Sequence, residues 1–134
     1  FISNGSGKFV VNGVEHFVEE GDLVFINPNI LHTELNEFNL TYFCLSIFNI
    51  HFEVTPESCV LHSLQHCNKI KDLLDSMLLE FNEKKEYSDE FIANYFEHFC
   101  LLIQRFFSFS FNPNSLSPQT TALKTKDKIY LPST

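Results

Sequence analysis

Gly21-Asp22-Leu23-Val24-Phe25-Ile26-Asn27-Pro28-Asn29-Ile30-Leu31-His32 decides the fold of this 134-residue chain. A Gly-Asp turn enters a short apolar strand, and an Asn-Pro-Asn corner carries the backbone out of it to a histidine. Proline has no backbone N–H to give a sheet, and asparagine favours turns, so the strand stops at the corner. Upstream, Lys8-Phe9-Val10-Val11-Asn12-Gly13-Val14-Glu15-His16-Phe17-Val18 reads as two strands joined by Asn12-Gly13. That dipeptide accepts the positive φ values of a two-residue hairpin turn.

Working outward, further strands are expected over residues 23–27 and 32–35, and along the aromatic and β-branched run 39–50. A last short strand is expected at 58–61, after the Thr55-Pro56-Glu57 corner. Short strands with turn signals every few residues describe a sandwich or barrel. Periodicity alone separates a barrel from an open antiparallel sheet only narrowly.

The second half is helical. Over residues 66–82, Ile70, Leu73, Leu74, Met77, Leu78 and Phe81 recur at i, i+3, i+4, i+7 spacing and fill one arc of roughly 140°. Glu83-Lys84-Lys85-Glu86 is a solvated break. Ser88 before Asp89 and Glu90 then reads as an N-cap with acids in the first turn, where they complement the helix dipole. The next helix, 89 to 107, differs in kind. Phe91, Tyr95, Leu102 and Phe106 lie on one side of its apolar face, and Ile92, Phe96, Ile103 and Phe107 on the other. A face of roughly 160° asks for two packing partners rather than one. The expectation is a homodimer in which Ile92, Phe96, Ile103 and Phe107 meet a second chain. Left in water, each would forfeit roughly 1.5–3 kcal/mol of burial. Residues 1–111 form a single domain on this reading. Residues 112–134, with Asn112-Pro113-Asn114-Ser115 and Ser117-Pro118, read as a linker or disordered tail.

Bulk properties narrow the function classes. Apolar residues make up 44% of the chain and 16 are Phe, which describes a packed globular domain. The formal charge is −8, and the +2 carried by residues 112–134 leaves −10 on the rest. So acidic a body repels phosphate backbones and is not expected to bind nucleic acid by itself. No apolar run approaches the length of a membrane span, and no signal segment opens the chain. Cys44, Cys59, Cys67 and Cys100 show no close pairing, which fits reduced thiols in a cytoplasmic protein. The first residues, Phe1-Ile2-Ser3, read as mid-strand, so a fragment of something longer is expected.

Catalytic and metal chemistry find little support. No His-x-His occurs, and His32 has no partner ligands at metal-site spacing. His62, His66 and Cys67 straddle a strand-to-helix junction without a fourth ligand. No nucleophile elbow and no Gly-rich phosphate loop appear, so no catalytic residue, metal or cofactor is expected. A ligand pocket remains. In the run 41–48 one alternate set, Tyr42, Cys44, Ser46 and Phe48, mixes rings with small polar groups, whereas Thr41, Phe43, Leu45 and Ile47 read as plain core. With the hairpin and corner residues, the ligand-binding candidates are Phe9, His16, Phe25, His32, Tyr42, Cys44 and Ser46.

The order Gly5-Ser6-Gly7, hairpin, Gly21-Asp22 strand, Asn27-Pro28, His32, long strand and two helices resembles the N-terminal domain of AraC/XylS-type transcription regulators over nearly residues 1–111. The resemblance implies a mainly β, cupin-like (double-stranded β-helix) barrel followed by two α-helices. It implies a small organic effector in the barrel, a dimer contact on the helices, and DNA binding only through a helix-turn-helix domain that this chain lacks. Sugars, aromatics and other small organics all fit a barrel of this size. Two rival readings stay open: a trimmed metal-dependent cupin enzyme, an isomerase or dioxygenase, and a structural dimerisation module with a collapsed barrel.

Overall fold

The computed structural model describes residues 1–35, 40–47, 51–63 and 65–107, and the backbone of 121–124. The hairpin falls where Asn12-Gly13 puts it. Strand β1 (Ile2–Asn4) precedes β2 (Ser6–Val11), which pairs antiparallel with β3 (Val14–Glu19) in a register that sets Val11 opposite Val14. Only two residues remain for the turn, with φ of 46° at Asn12 and 82° at Gly13. Both angles positive is the turn whose twist matches that of the flanking strands. A Cβ on Gly13 would meet nothing within 4 Å, so Gly13→Ala pays for strain and not for a clash. We expect it to lower stability by about 1 kcal/mol, read as a lower urea midpoint with unchanged slope.

After β4 (Asp22–Val24) and the Asn-Pro-Asn corner, β5 (His32–Leu35) pairs with the other edge of β2, giving the sheet order β3-β2-β5. Strand β4 pairs with β8 (Val60–His62). The long run 39–50 is not one strand. It divides into β6 (Thr41–Tyr42), paired with β1, and β7 (Cys44–Ile47), paired with β9 (Thr121–Lys124). At the break, the Phe43 N–H donates to the Phe1 carbonyl at 2.8 Å. The paired strands form four small sheets, open rather than one closed barrel.

Within the stretch 112–134, read from the sequence as linker or disordered tail, Thr121–Lys124 pairs in register with Ile47 back to Cys44. The rest of that stretch lies outside the described residues.

Helices α1 (Cys67–Glu83) and α2 (Ser88–Phe107) follow the sequence periodicity. Helix α1 ends on Lys84 in the left-handed region, whose N–H closes the last turn on the Glu80 carbonyl. Ser88 is not a simple cap. Its hydroxyl donates to Glu80 Oε2 at 2.8 Å and ties the start of α2 to the end of α1.

The core has two centres. One gathers Ile2, Phe9, Val11, Val18, Leu40 and Cys59 between the strands. The other packs Ile70, Leu74 and Met77 of α1 with Ile92, Phe96 and Ile103 of α2, under Leu23 and Phe25. Ile92, Phe96 and Ile103 are therefore at most 3% exposed within a single chain, and Phe107 is half-buried. The argument that sent them to a partner chain assumed they were left in water. The wide arc of α2 does find two partners, but both are in its own chain: α1 and the strand layer.

Candidate functional site

Alternation along β2 starts the site. Gly7, Phe9 and Val11 are buried, and Lys8 faces solvent. The register sets Glu34 of β5 opposite Phe9, and His32 opposite Val11. Residues directly opposite in an antiparallel pair share a face. Glu34 is thereby turned inward beside a buried aromatic ring, while Leu35 is exposed.

Between the strand layer and the helices lies a cavity of about 690 Å³. Its walls take Phe9 from β2, Phe25 from the end of the β4 segment, Tyr42 from β6, and Phe96, Phe99 and Cys100 from α2. Of the seven residues read from the sequence as ligand contacts, six line it: Phe9, Phe25, His32, Tyr42, Cys44 and Ser46. His16 does not. Its imidazole Nε2 is bonded to the Pro56 carbonyl and lies 3.6 Å from Cys59 Sγ, holding the hairpin to the segment before β8. Phe48 lies outside the described residues. The expected division of 41–48 into a ligand face and a core face is not kept, since Phe43, Leu45 and Ile47 also line the cavity. The switch of sheets at Phe43 interrupts the alternation on which that division rested.

Of the lining residues that escaped the sequence reading, two stand out for their hydrogen-bonding groups. Asn27 is more than a turn former: its amide donates to the Phe52 carbonyl at 2.8 Å and accepts from the Phe52 N–H at 2.7 Å. This double clamp holds the corner against the segment before β8 and sets the Phe52 ring edge-on to Phe25 at 5.0 Å. Glu34 is the second. One of its carboxylate oxygens, Oε2, is buried with no hydrogen-bond partner among the described residues. The carboxylate also bonds the Tyr42 hydroxyl. Burial first, then the Glu34 hydrogen bond and charge, raise the Tyr42 phenol well above its ordinary value, so it stays a neutral donor. The Phe9 ring meets Tyr42 edge-on at 5.9 Å. The signal for Glu34 was present in the sequence, since it shares the parity of His32 two residues earlier.

His32 is exposed and uses Nδ1 on the Ile30 carbonyl at 3.0 Å. Among the described residues, no group of three or more His, Cys, Asp or Glu side chains converges in a geometry able to hold a metal ion. His62 is bonded to Asp22 at 2.8 Å, and His66 stacks on Phe106 at 3.7 Å, so that histidine pair is divided between two structural tasks.

The four cysteines are free. Burial, assisted by the nearby Glu97 charge, pushes the Cys100 thiol up to about 12, and burial raises Cys59 as well. Thiolate is the reactive form. Iodoacetamide at pH 8 is expected to leave both unmodified in the native chain and to reach them only after denaturation. Peptide mapping by mass spectrometry reads the difference, and rapid native labelling of Cys100 would contradict its burial.

No helix among the described residues is long and apolar enough to cross a membrane. Comparison with curated proteins and with solved structures finds no match to the chain. The family model for the AraC-like ligand binding domain matches residues 1–99, taking in every strand from β1 to β8, helix α1 and the first half of α2. With that match over most of its length, this chain belongs to the AraC-like ligand-binding domain family.

Proposed function

We propose that this domain senses a small organic effector, taken into the cavity behind Tyr42, for a cytoplasmic transcription regulator of the AraC type. The observation that carries the reading is the cavity of about 690 Å³, a volume suited to a small molecule, with aromatic walls and few polar groups. The function proposed is binding and not catalysis, which the match to a ligand-binding domain supports. DNA recognition belongs to a separate helix-turn-helix domain in this reading.

A ligand that binds only the folded state stabilises it by mass action, by about 2.7 kcal/mol at a hundredfold excess over Kd. A metabolite panel screened by thermal shift is expected to yield at least one saturable hit. Tyr42→Ala, which removes a wall and the hydroxyl on Glu34, is expected to abolish that shift. A hit whose shift survives Tyr42→Ala unchanged places the binding site elsewhere and refutes the assignment.

Homodimerisation is the second part of the proposal. Ile92, Phe96 and Ile103 are occupied inside the chain, so the contact falls to the outer side of α2, where Phe91 is 46% and Leu101 58% exposed. Sedimentation at high micromolar concentration tests it. We expect a dimer that Leu101→Asp converts to a folded monomer, and a wild type that stays monomeric rejects it.

A further inference from the structure

We propose that the effector is an organic cation, an amine carried on an apolar body, whose ammonium group is held by Glu34. The inference rests on the effector-binding reading above and names its ligand class. Three observations carry it.

Charge comes first. Among the described lining residues there is no Lys or Arg, and Glu34 is the only carboxylate. The chain as a whole carries a formal −8. An anionic ligand, whether carboxylate or phosphate, would enter against that field and settle beside Glu34 without a counter-charge. Like charges brought together out of water repel strongly, because little solvent remains to screen them.

Hydrogen-bond capacity comes second. Glu34 Oε2 is buried and unpartnered among the described residues, and Tyr42 serves the same carboxylate. A buried carboxylate is stabilised by charge-assisted donors, and an alkylammonium supplies them together with a positive charge. Three other polar groups of the wall are already engaged, which leaves the short side chains of Asn29, Thr33 and Ser46. Asn27 gives both ends of its amide to Phe52, the Tyr42 hydroxyl is on Glu34, and His32 Nδ1 is on Ile30. A sugar brings a ring of hydroxyls, each wanting a partner, and this wall has few left to offer. Desolvating hydroxyls without replacement bonds costs affinity at every one.

The remaining surface comes third. Phe9 and Tyr42 flank the acid, and Phe25, Phe52, Phe96 and Phe99 continue the wall away from it. Aromatic faces attract cations and accept aliphatic or aromatic bodies equally well. One acid at one end of an aromatic box fits an amine with an apolar tail.

Matched probes test the class on the full chain. At pH 7, 2-phenylethylamine is protonated, 3-phenylpropionate is its anionic counterpart and 2-phenylethanol its neutral one, with arabinose as the sugar. By thermal shift and calorimetry the amine is expected to bind saturably and at least tenfold more tightly than any of the other three. Glu34→Gln keeps the shape and removes the charge, and should weaken the amine at least tenfold with little change in the unliganded Tm. Tyr42→Phe keeps the ring and frees the carboxylate, and should bind the amine at least as well as the wild type. Saturable binding of 3-phenylpropionate or arabinose, with none of the amine, overturns the ligand class and leaves the effector-binding reading standing. Amine binding that Glu34→Gln leaves intact overturns the residue assignment. No binding of any probe overturns the class, and an empty metabolite screen beside it overturns the effector reading as well.

Discussion

Phe96→Asp is expected to unfold the chain, not to yield a folded monomer. Phe96 is 3% exposed, with its ring 6.3 Å from that of Phe99, and it belongs to the cluster that joins both helices to the strand layer. Truncating such a phenylalanine costs about 3–5 kcal/mol, and burying an unpaired carboxylate in its place adds to that. A domain of this size has a total stability of about 5–15 kcal/mol. Circular dichroism should show no cooperative melting transition at neutral pH. A variant that melts like the wild type would place Phe96 at the surface and restore the face first assigned to a partner chain. The contrast with Leu101→Asp is the useful measurement, since a helix position matters only through what covers it.

Asp22→Ala should produce the second largest loss. Asp22 is 1% exposed, and its two carboxylate oxygens hold two different elements. Oδ2 accepts the Glu19 N–H at 2.9 Å, closing the turn from β3 into β4. Oδ1 accepts from the His62 imidazole at 2.8 Å at the end of β8. Around this node Gly21 donates its N–H to Ile2 at 2.8 Å and receives the Ser63 hydroxyl on its carbonyl. Alanine leaves the Glu19 N–H without its acceptor and removes a charge-assisted bond, together about 3 kcal/mol. Asp22→Asn keeps an acceptor and should recover part of that. His62→Ala should cost much less, since the His62 side chain is 66% exposed and its loss leaves a carboxylate still bonded to the backbone. Urea unfolding of the three variants orders them, and a His62→Ala variant as unstable as Asp22→Ala would show that the histidine, not the turn, is the anchor.

Local signals were legible and non-local ones were not. Asn12-Gly13 fixes a hairpin because two adjacent positive φ angles are a property of those residues alone. The span of β5 and the two helices followed from alternation and i, i+3, i+4 periodicity in the same way. By contrast, residues on either side of Phe43 have the same strand-forming composition, and nothing in them announces that β6 pairs with β1 while β7 pairs with β9. The width of the apolar arc on α2 gave the number of its partners but not which chain supplies them. Six cavity residues were found by face and spacing, and Glu34 was missed by stopping the alternation one step early. His16, taken from the hairpin as hairpin surface or barrel mouth, lies off the cavity and holds Pro56 and Cys59, partners far away in sequence.

The pairing of β7 with β9 makes the cavity wall a shared boundary. All four residues of β7 line the cavity, and the same four are paired with Thr121–Lys124, joined across a long stretch of chain. The entropy of closing such a loop grows only slowly with its length, so distance along the chain does not forbid the pairing. If an occupant of the cavity steadies β7 by some factor in affinity, docking of β9 steadies that occupant by the same factor, since linkage between two sites is reciprocal. Through β7, the seating of residues 121–124 and the filling of the cavity would be weighed on one balance.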